Sequence, residues 1–271
     1  MSKTQAAADP NPPDANWIAE NQIDTYSLLH SLVFRNHGNT RSWWDGYVVN
    51  KVSQAAAQVL ELGCGTGTTS ITVARAGFDV RGTDISPRMI ELARQRSSKE
   101  LDAVRNRMEW AVADMCEVDP KASGCHVVTS AFGHLLNEEH QISCLTSLSD
   151  ARTALLYIPE LLKPESLQLP KRGISRNRVN GIDVSCESKS LTDWAQRIHH
   201  ANYVFTILAS NAPDRRFAFS YSFCFPNRDQ MVELAERAGW QVKLIEENPE
   251  LRIDPVKQLV IREVAYELHE L

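Results

Sequence analysis

Apolar positions change period along this chain, and each change marks a predicted element. Val59-Leu-Glu-Leu62 is a short run of buried-strand character, followed by a turn containing Gly63, Gly65 and Gly67 and a helix starting near Thr68. Phe78–Asp84, Met108–Val112, His126–Phe132 and Thr153–Ile158 read as four further strands, Trp240–Ile245 as a sixth, and Gln258–Arg262 onward as a seventh. Helical spacing separates them. Ser86 and Pro87 suit the N-cap and first position of a helix carrying Met89, Ile90, Leu92 and Ala93. Asn227 suits the cap of another carrying Met231, Leu234 and Ala235, and Gly239 suits its end. Before the first strand, Trp17, Ile18, Ile23, Tyr26, Leu29 and Val33 recur at helical spacing, and Trp43 to Val52 suggests a second helix. Strands alternating with helices predict an α/β domain.

One stretch breaks the alternation. About 60 residues precede Asn227 and show period-two patterning at 181–187, 201–208 and 217–225, with turn residues at 211–215. They predict an inserted three-stranded antiparallel sheet. Phe217, Phe219, Tyr221, Phe223 and Phe225 share one face, and Ala218, Ser220, Ser222 and Cys224 share the other. The basic positions just before it, Lys171, Arg172, Arg176 and Arg178, read as a solvated loop.

The glycine turn carries the first chemical signal. Its spacing is G-x-G-x-G, so Thr68 stands where a dinucleotide fingerprint has its third glycine, and no phosphate-loop Gly-Lys-Ser/Thr follows. The alternative for the turn alone is an ordinary strand-to-helix connection. Asp84 ends the second strand 17 residues after Gly67. A carboxylate there is placed to accept both hydroxyls of a ribose. Ile85 next to it is an apolar cover for a purine face, and Asp114, past the third strand, is placed to accept an adenine amine.

In order and spacing, this series resembles the class I S-adenosylmethionine-dependent methyltransferases. The glycine turn resembles their first motif, Asp84 their ribose-binding acid, and Asp114-Met115 their adenine-binding pair. Ser130 to Asn137 resembles the strand end and loop that face the sulfonium and the substrate. The resemblance covers about residues 58 to 160, with weaker support over 226 to 266; Cys125 departs from it, standing where an acid often opens the fourth strand. It implies a Rossmann-like seven-stranded sheet, mostly parallel with an antiparallel last strand and flanked by helices. It also implies an N-terminal helical cap and an inserted antiparallel β lid, like that of small-molecule N-methyltransferases acting on glycine and on amino sugars. The expected organisation is a tail over 1–14, a cap over 15–56, a cofactor-binding core over 57–160, a lid over 161–226 and the end of the core over 227–271.

The implied cofactor is S-adenosyl-L-methionine. Its expected contacts are Glu61 (through ordering of the turn), Gly63, Cys64 (through its amide), Gly65, Gly67, Asp84, Ile85, Asp114, Met115, Ser130 and Phe132. His134 and Tyr26 are the catalytic candidates, and Trp44, Asn137 and Tyr221 the substrate-binding ones, with Arg41 a further candidate for the methionine end. Several have a plain alternative. Phe132 is either core or pocket wall, Asn137 either a helix cap or a ligand contact, His134 either chemical or bonded to backbone. Trp43 and Trp44 point in different directions on a helix, so at least one of them packs the cap.

The expected reaction is methyl transfer to a small-molecule nitrogen or oxygen nucleophile, amine favoured, by in-line displacement. Two alternatives stand beside it: cyclisation of the cofactor's own aminobutyl chain with release of methylthioadenosine, and cofactor binding without catalysis. Length and composition agree with the expectation of an intracellular enzyme. The 271 residues are 43% hydrophobic, enough for one large α/β domain with additions, and the net charge of −5 argues against general nucleic-acid binding. No apolar run reaches the length of a membrane span. The six cysteines are scattered without metal-ligand spacing, so no metal is expected and reduced thiols in a cytoplasmic setting are. The aromatic insertion also suits a homodimer contact.

Overall fold

A computed structural model describes residues 38–53, 58–117, 125–162, 173–179, 182–208, 215–254 and 259–271. The described chain forms helix α1 (Gly38–Ser53), strand β1 (Val59–Leu62), α2 (Thr68–Arg75), β2 (Val80–Asp84), α3 (Pro87–Ser97), a single turn α4 (Asp102–Arg105) and β3 (Met108–Val112). Then come β4 (His126–Thr129), a 3-10 turn over Phe132–His134, α5 (Glu138–Thr146) and β5 (Thr153–Leu162). β6 (Gly173–Val179), β7 (Ile182–Asp193), β8 (Ile198–Leu208) and β9 (Arg215–Cys224) follow, and α6 (Arg228–Arg237), β10 (Trp240–Glu247), β11 (Arg252–Asp254) and β12 (Leu259–Glu270) complete it.

The main sheet has the order β10-β12-β5-β4-β1-β2-β3, with β11 added beside β12. β1 runs parallel to β2 and β4, β2 to β3, and β4 to β5, while β10 and β12 are antiparallel. This is the Rossmann-like sheet with its antiparallel end. The central strands β1 and β4 are buried on both faces, and so they read as apolar runs rather than as alternation. In β4, Val127 joins a cluster with Phe132, Leu145, Met231 and Trp240, while Val128 joins another with Trp44, Val48, Val73 and Leu155. Both valines are fully buried.

Capping follows the local sequence. Asn227 caps α6 and forms a capping box with Gln230; the Asn227 side chain accepts from the Gln230 amide, and the Gln230 side chain accepts from the Asn227 amide. Gly239 follows α6 with φ of 85°. Ser86 caps α3, with Pro87 at its first position.

The chain divides into two compact units. The larger comprises Asn39–Leu161, Phe223–Arg252 and Arg262–Leu271; Leu162–Ser222 falls in the other. The smaller unit's sheet is four-stranded, in the order β6-β7-β8-β9, not three-stranded as expected. The added strand is Gly173–Val179, which includes Arg176 and Arg178 and was expected to be loop. It pairs antiparallel with β7 from Gly173↔Ser188 to Val179↔Ile182. An edge strand needs hydrogen-bond partners on one side only and tolerates charged side chains, so its hydrophobic signal is weak. In β9, Ala218 and Ser220 are exposed, Tyr221 and Ser222 are both half-buried, and Phe223 and Cys224 are both buried, so the expected alternation is absent at the end of the strand.

Among the described residues no helix is long and apolar enough to cross a membrane. All six cysteines are free thiols. Burial raises Cys125 and Cys224 to about 11 and Cys186 to about 12, and pushes Cys64 and Cys144 higher still. Cys116 is half-buried and raised for the same reason. Native protein at pH 8 is therefore expected to react with Ellman's reagent at no more than one thiol, Cys116, and at all six after denaturation. The stability effect has a definite sign. Unfolded thiols ionise near pH 9.0 while the folded ones stay protonated, so this contribution is intact below pH 9.0 and is lost above it. Urea midpoints at pH 8 and pH 10 check this, and equal values would contradict it.

Candidate cofactor site

The C-terminal ends of β1, β2 and β3 bring the glycine turn, Asp84 and Asp114 to one edge of the larger unit. Gly63, Gly65 and Gly67 have φ of 62°, 56° and 74°, a left-handed backbone that favours glycine. The three glycines meet different surroundings. A Cβ on Gly63 would stand 2.3 Å from the Ala131 Cβ and 3.3 Å from the Met115 methyl. A Cβ on Gly67 would stand 2.3 Å from the Trp110 ring. On Gly65 it would meet nothing within 4 Å. So Gly65 faces open space, while Gly63 and Gly67 make room for the protein itself.

Trp110 was not singled out by the sequence reading. It lies in β3 opposite Gly82 of β2, and a Cβ on Gly82 would approach its ring to 2.5 Å. The indole N–H donates to Ser97 Oγ at 3.1 Å. The ring thus lies across Gly82 to reach the turn at Gly67. A tryptophan in register with a strand glycine was the available signal.

The turn's amides are largely held within the protein. Cys64 N–H donates to the Thr83 carbonyl at 2.8 Å, Gly65 N–H to Asp84 Oδ2 at 2.9 Å, and Gly67 N–H to the Cys64 carbonyl at 2.9 Å. This corrects the expectation for Cys64: its amide ties the turn to β2 and is not presented to a ligand. Glu61 is buried at 2% exposure. Its Oε2 accepts from the Ser70 amide at 2.8 Å and from the Ser70 hydroxyl. Ser70 is the third residue of α2, whose N-cap Gly67 offers no side-chain acceptor. The carboxylate from β1 therefore takes the place of a cap and lies near the positive end of the helix dipole.

Asp84 Oδ1 accepts from the Ser86 amide at 2.9 Å. With Oδ2 on Gly65, each oxygen carries one bond and retains a second acceptor position. That leaves two acceptor positions on the carboxylate, the number a ribose diol would use. Ile85 beside it is 67% exposed, an uncommon state for isoleucine and the one a purine cover requires. Asp114 Oδ1 accepts from the Cys116 amide at 2.9 Å. Arg96 Nη1, from α3, donates to Thr66 O at 2.9 Å, Thr66 Oγ1 at 2.6 Å and Thr68 Oγ1 at 2.9 Å. Spacing alone had not marked Arg96 or Thr66.

The remaining expected residues divide. Ser130 and Ala131 follow β4, half-buried, with the Ala131 amide on Thr129 Oγ1 at 3.0 Å. Phe132 is fully buried in the hydrophobic core, the placement its core alternative expects. His134 is exposed at the end of the 3-10 turn, its amide donating to the Ala131 carbonyl at 2.9 Å. Asn137 Oδ1 accepts from the His140 amide at 2.8 Å, which makes it the cap of α5. Trp44 is 2% exposed and packs on Tyr47 and Tyr157 at centroid distances of 5.8 and 5.7 Å; its ring serves the core. Asp45 beside it accepts from the Thr69 hydroxyl at 2.7 Å and so fixes α1 to α2. Tyr221 stacks on Tyr203 at 5.9 Å within the smaller unit. Tyr26 lies outside the described residues, as does the Arg41 side chain. A cavity of about 440 Å³ runs along β2 and β3, lined by Asp79, Asn106 and Met108 towards one end of these strands and by Thr83, Ala113 and Glu117 towards the other.

Residues 59–152 match a family model described as a methyltransferase domain. Magnesium-protoporphyrin O-methyltransferase of Rhodobacter capsulatus is 42% identical over 60 residues, 22% of this chain and 25% of that protein. Demethylmenaquinone methyltransferase of Streptomyces avermitilis is 23% identical over 245 residues, 88% and 90% of the two chains. The chain spans from a quarter to about half the length of the first curated relatives it matches. Among solved structures, an S-adenosylmethionine-bound amino pentose methyltransferase from Micromonospora echinaspora superposes with a TM-score of 0.62 at 19% identity. That match covers 87% of this chain and 96% of the other, and it establishes likeness of fold.

Proposed function

We propose that the chain is a class I S-adenosylmethionine-dependent methyltransferase that transfers a methyl group to a small-molecule nitrogen or oxygen nucleophile, an amine being favoured, a reading supported by the methyltransferase-domain match over residues 59–152. The observation that carries this reading is the pairing of Asp84 with Gly65: a carboxylate with two acceptor positions left, beside a turn residue facing open space. S-adenosylmethionine, when bound, supplies a methyl group activated by a positive sulfur. Asp84 accepts the ribose hydroxyls, the second oxygen of Asp114 accepts the adenine amine, and Ile85 covers the purine. Met115 packs against Gly63 and fixes the near side of the turn.

The sheet order β4-β1-β2-β3 orients the ligand. With adenine at β3 and ribose at β2, the amino-acid chain lies past the ends of β1 and β4, where the glycine turn and Ser130 are. His134, exposed just beyond, is then the polar group nearest an incoming nucleophile. Displacement at carbon requires alignment above all, and positioning alone supplies about 7–11 kcal/mol in favourable cases. An amine that arrives unprotonated needs no strong base, so His134 is assigned orientation and proton acceptance, with Tyr26 as its sequence-assigned companion. The antiparallel insertion and the likeness in fold to an amino pentose methyltransferase support a small amine acceptor.

The test is incubation with S-adenosylmethionine, with and without a pool of small amines, acids and phenols, read by mass spectrometry. S-adenosylhomocysteine together with a product heavier by one methylene is the expected result. Methylthioadenosine formed without an acceptor would replace this reading with cyclisation of the cofactor's own chain.

A further inference from the structure

We infer that Arg96 is a positioning residue that shapes the glycine turn for the amino-acid half of the cofactor. The inference rests on the function proposed above. Arg96 lies 12 residues after Asp84, at the far end of α3, yet its Nη1 gathers three oxygens of the turn: Thr66 O, Thr66 Oγ1 and Thr68 Oγ1. Nη1 has two N–H groups, so one of them is shared.

Stabilisation of α2 does not explain this contact. α2 begins at Thr68, and a cation there opposes the positive end of the helix dipole. What the guanidinium gains is the turn itself. Thr66 is buried at 5% exposure, so its carbonyl has little access to water, and Arg96 is a donor to it. Thr66 stands between Gly65, which faces open space, and Gly67, which is packed under Trp110. β2 and α3 therefore hold the turn from two sides, with Asp84 on the Gly65 amide and Arg96 on Thr66 and Thr68. When Asp84 takes up ribose hydroxyls as well, the Arg96 side of the clamp is untouched by the ligand and keeps the turn in place.

The sheet order gives this role a signature. Adenine and ribose are assigned to the ends of β3 and β2, whereas the turn follows β1. Loss of Arg96 should therefore weaken S-adenosylhomocysteine and spare adenosine. A guanidinium bonded to three oxygens predicts a loss of about ten- to a hundredfold in S-adenosylhomocysteine affinity for Arg96→Gln. Adenosine affinity should change less than about threefold. Arg96→Lys keeps the charge but loses the planar fork, and should fall between wild type and Arg96→Gln.

The experiment is calorimetric titration of the full chain with S-adenosylhomocysteine and with adenosine. The proteins are wild type, Arg96→Gln, Arg96→Lys, and Arg105→Gln as a charge control, since Arg105 pairs only locally with Asp102 on α4. Selective loss of S-adenosylhomocysteine in Arg96→Gln, with Arg105→Gln equal to wild type, is the expected result. Wild-type affinity in Arg96→Gln overturns the inference, and so does an equal loss of both ligands, the mark of a general structural defect. If wild type binds neither ligand, the functional reading fails first and this inference with it, an outcome that no variant can mimic. Should Arg96→Gln not fold, Thr68→Val removes one of the three acceptors in a near-isosteric side chain. A few-fold loss confined to S-adenosylhomocysteine supports the inference, and unchanged binding overturns it.

Discussion

Replacing Asp84 by asparagine is expected to weaken S-adenosylhomocysteine binding by about a hundredfold or more. The carboxylate is proposed to accept two ribose hydroxyls, and charge-assisted bonds contribute about 1.5–3 kcal/mol each. Asparagine keeps one oxygen and puts an amide nitrogen where the other stood, so both ribose bonds lose their charge assistance and one backbone N–H, of Gly65 or Ser86, faces a donor. Alanine is the less clean variant. Asp84 also accepts from the Gly65 and Ser86 amides, so removing the whole carboxyl loosens the turn and the start of α3. Asp84→Ala is thus expected to cost about 1 kcal/mol of stability besides its effect on binding. Titration calorimetry with thermal unfolding separates the two effects. Unchanged affinity in Asp84→Asn would remove Asp84 from the site and, with it, the main support for the proposed function.

The second large effect separates two glycines that the sequence presents as equivalent. Gly67→Ala is expected to destabilise the protein by about 2–5 kcal/mol, combining about 1–2 for a side chain in left-handed backbone with about 1–3 for overpacking. The overpacking has a named source, the Trp110 ring 2.3 Å from the new Cβ. For a chain of this length the melting temperature should fall by about 5–15 °C. Gly65→Ala carries the backbone strain alone, because its Cβ meets nothing, and should cost about 1–2 kcal/mol. Ligand affinity should order the opposite way. Gly65→Ala puts a methyl into the space assigned to the ligand, and should lose more S-adenosylhomocysteine affinity than the folded fraction of Gly67→Ala. Pairing Gly67→Ala with Trp110→Leu should recover part of the lost stability. Equal melting temperatures for the two single variants would show that Trp110 does not set the requirement at position 67.

These comparisons show where the sequence was informative. The strand from Met108 to Val112, the caps at Ser86 and Asn227 and the bend at Gly239 were readable, because a strand period or a cap depends on residues a few positions apart. The edge strand Gly173–Val179 was not. Its hydrogen bonds come from β7, and the one side chain in it whose burial is described, Arg176, is exposed. Phe132, Asn137 and Trp44 were legible as types but not as roles. Each could serve a pocket or a structure equally well, and packing decided that Phe132 and Trp44 belong to the core and Asn137 to the end of α5.

The sequence by itself determined the alternation of strands and helices, the left-handed glycine turn, and the carboxylates at the ends of β2 and β3. Those features follow from backbone sterics, apolar periodicity and the position of an acid at a strand end, all of which are local. Only the tertiary structure decided why each glycine is a glycine, which carboxylate caps α2, and which cation holds the turn. Trp110 reaches Gly67 across Gly82, Glu61 reaches Ser70 from β1, and Arg96 reaches Thr66 from the end of α3. Each contact joins residues on different elements, and its existence depends on strand register and helix placement that no local pattern encodes.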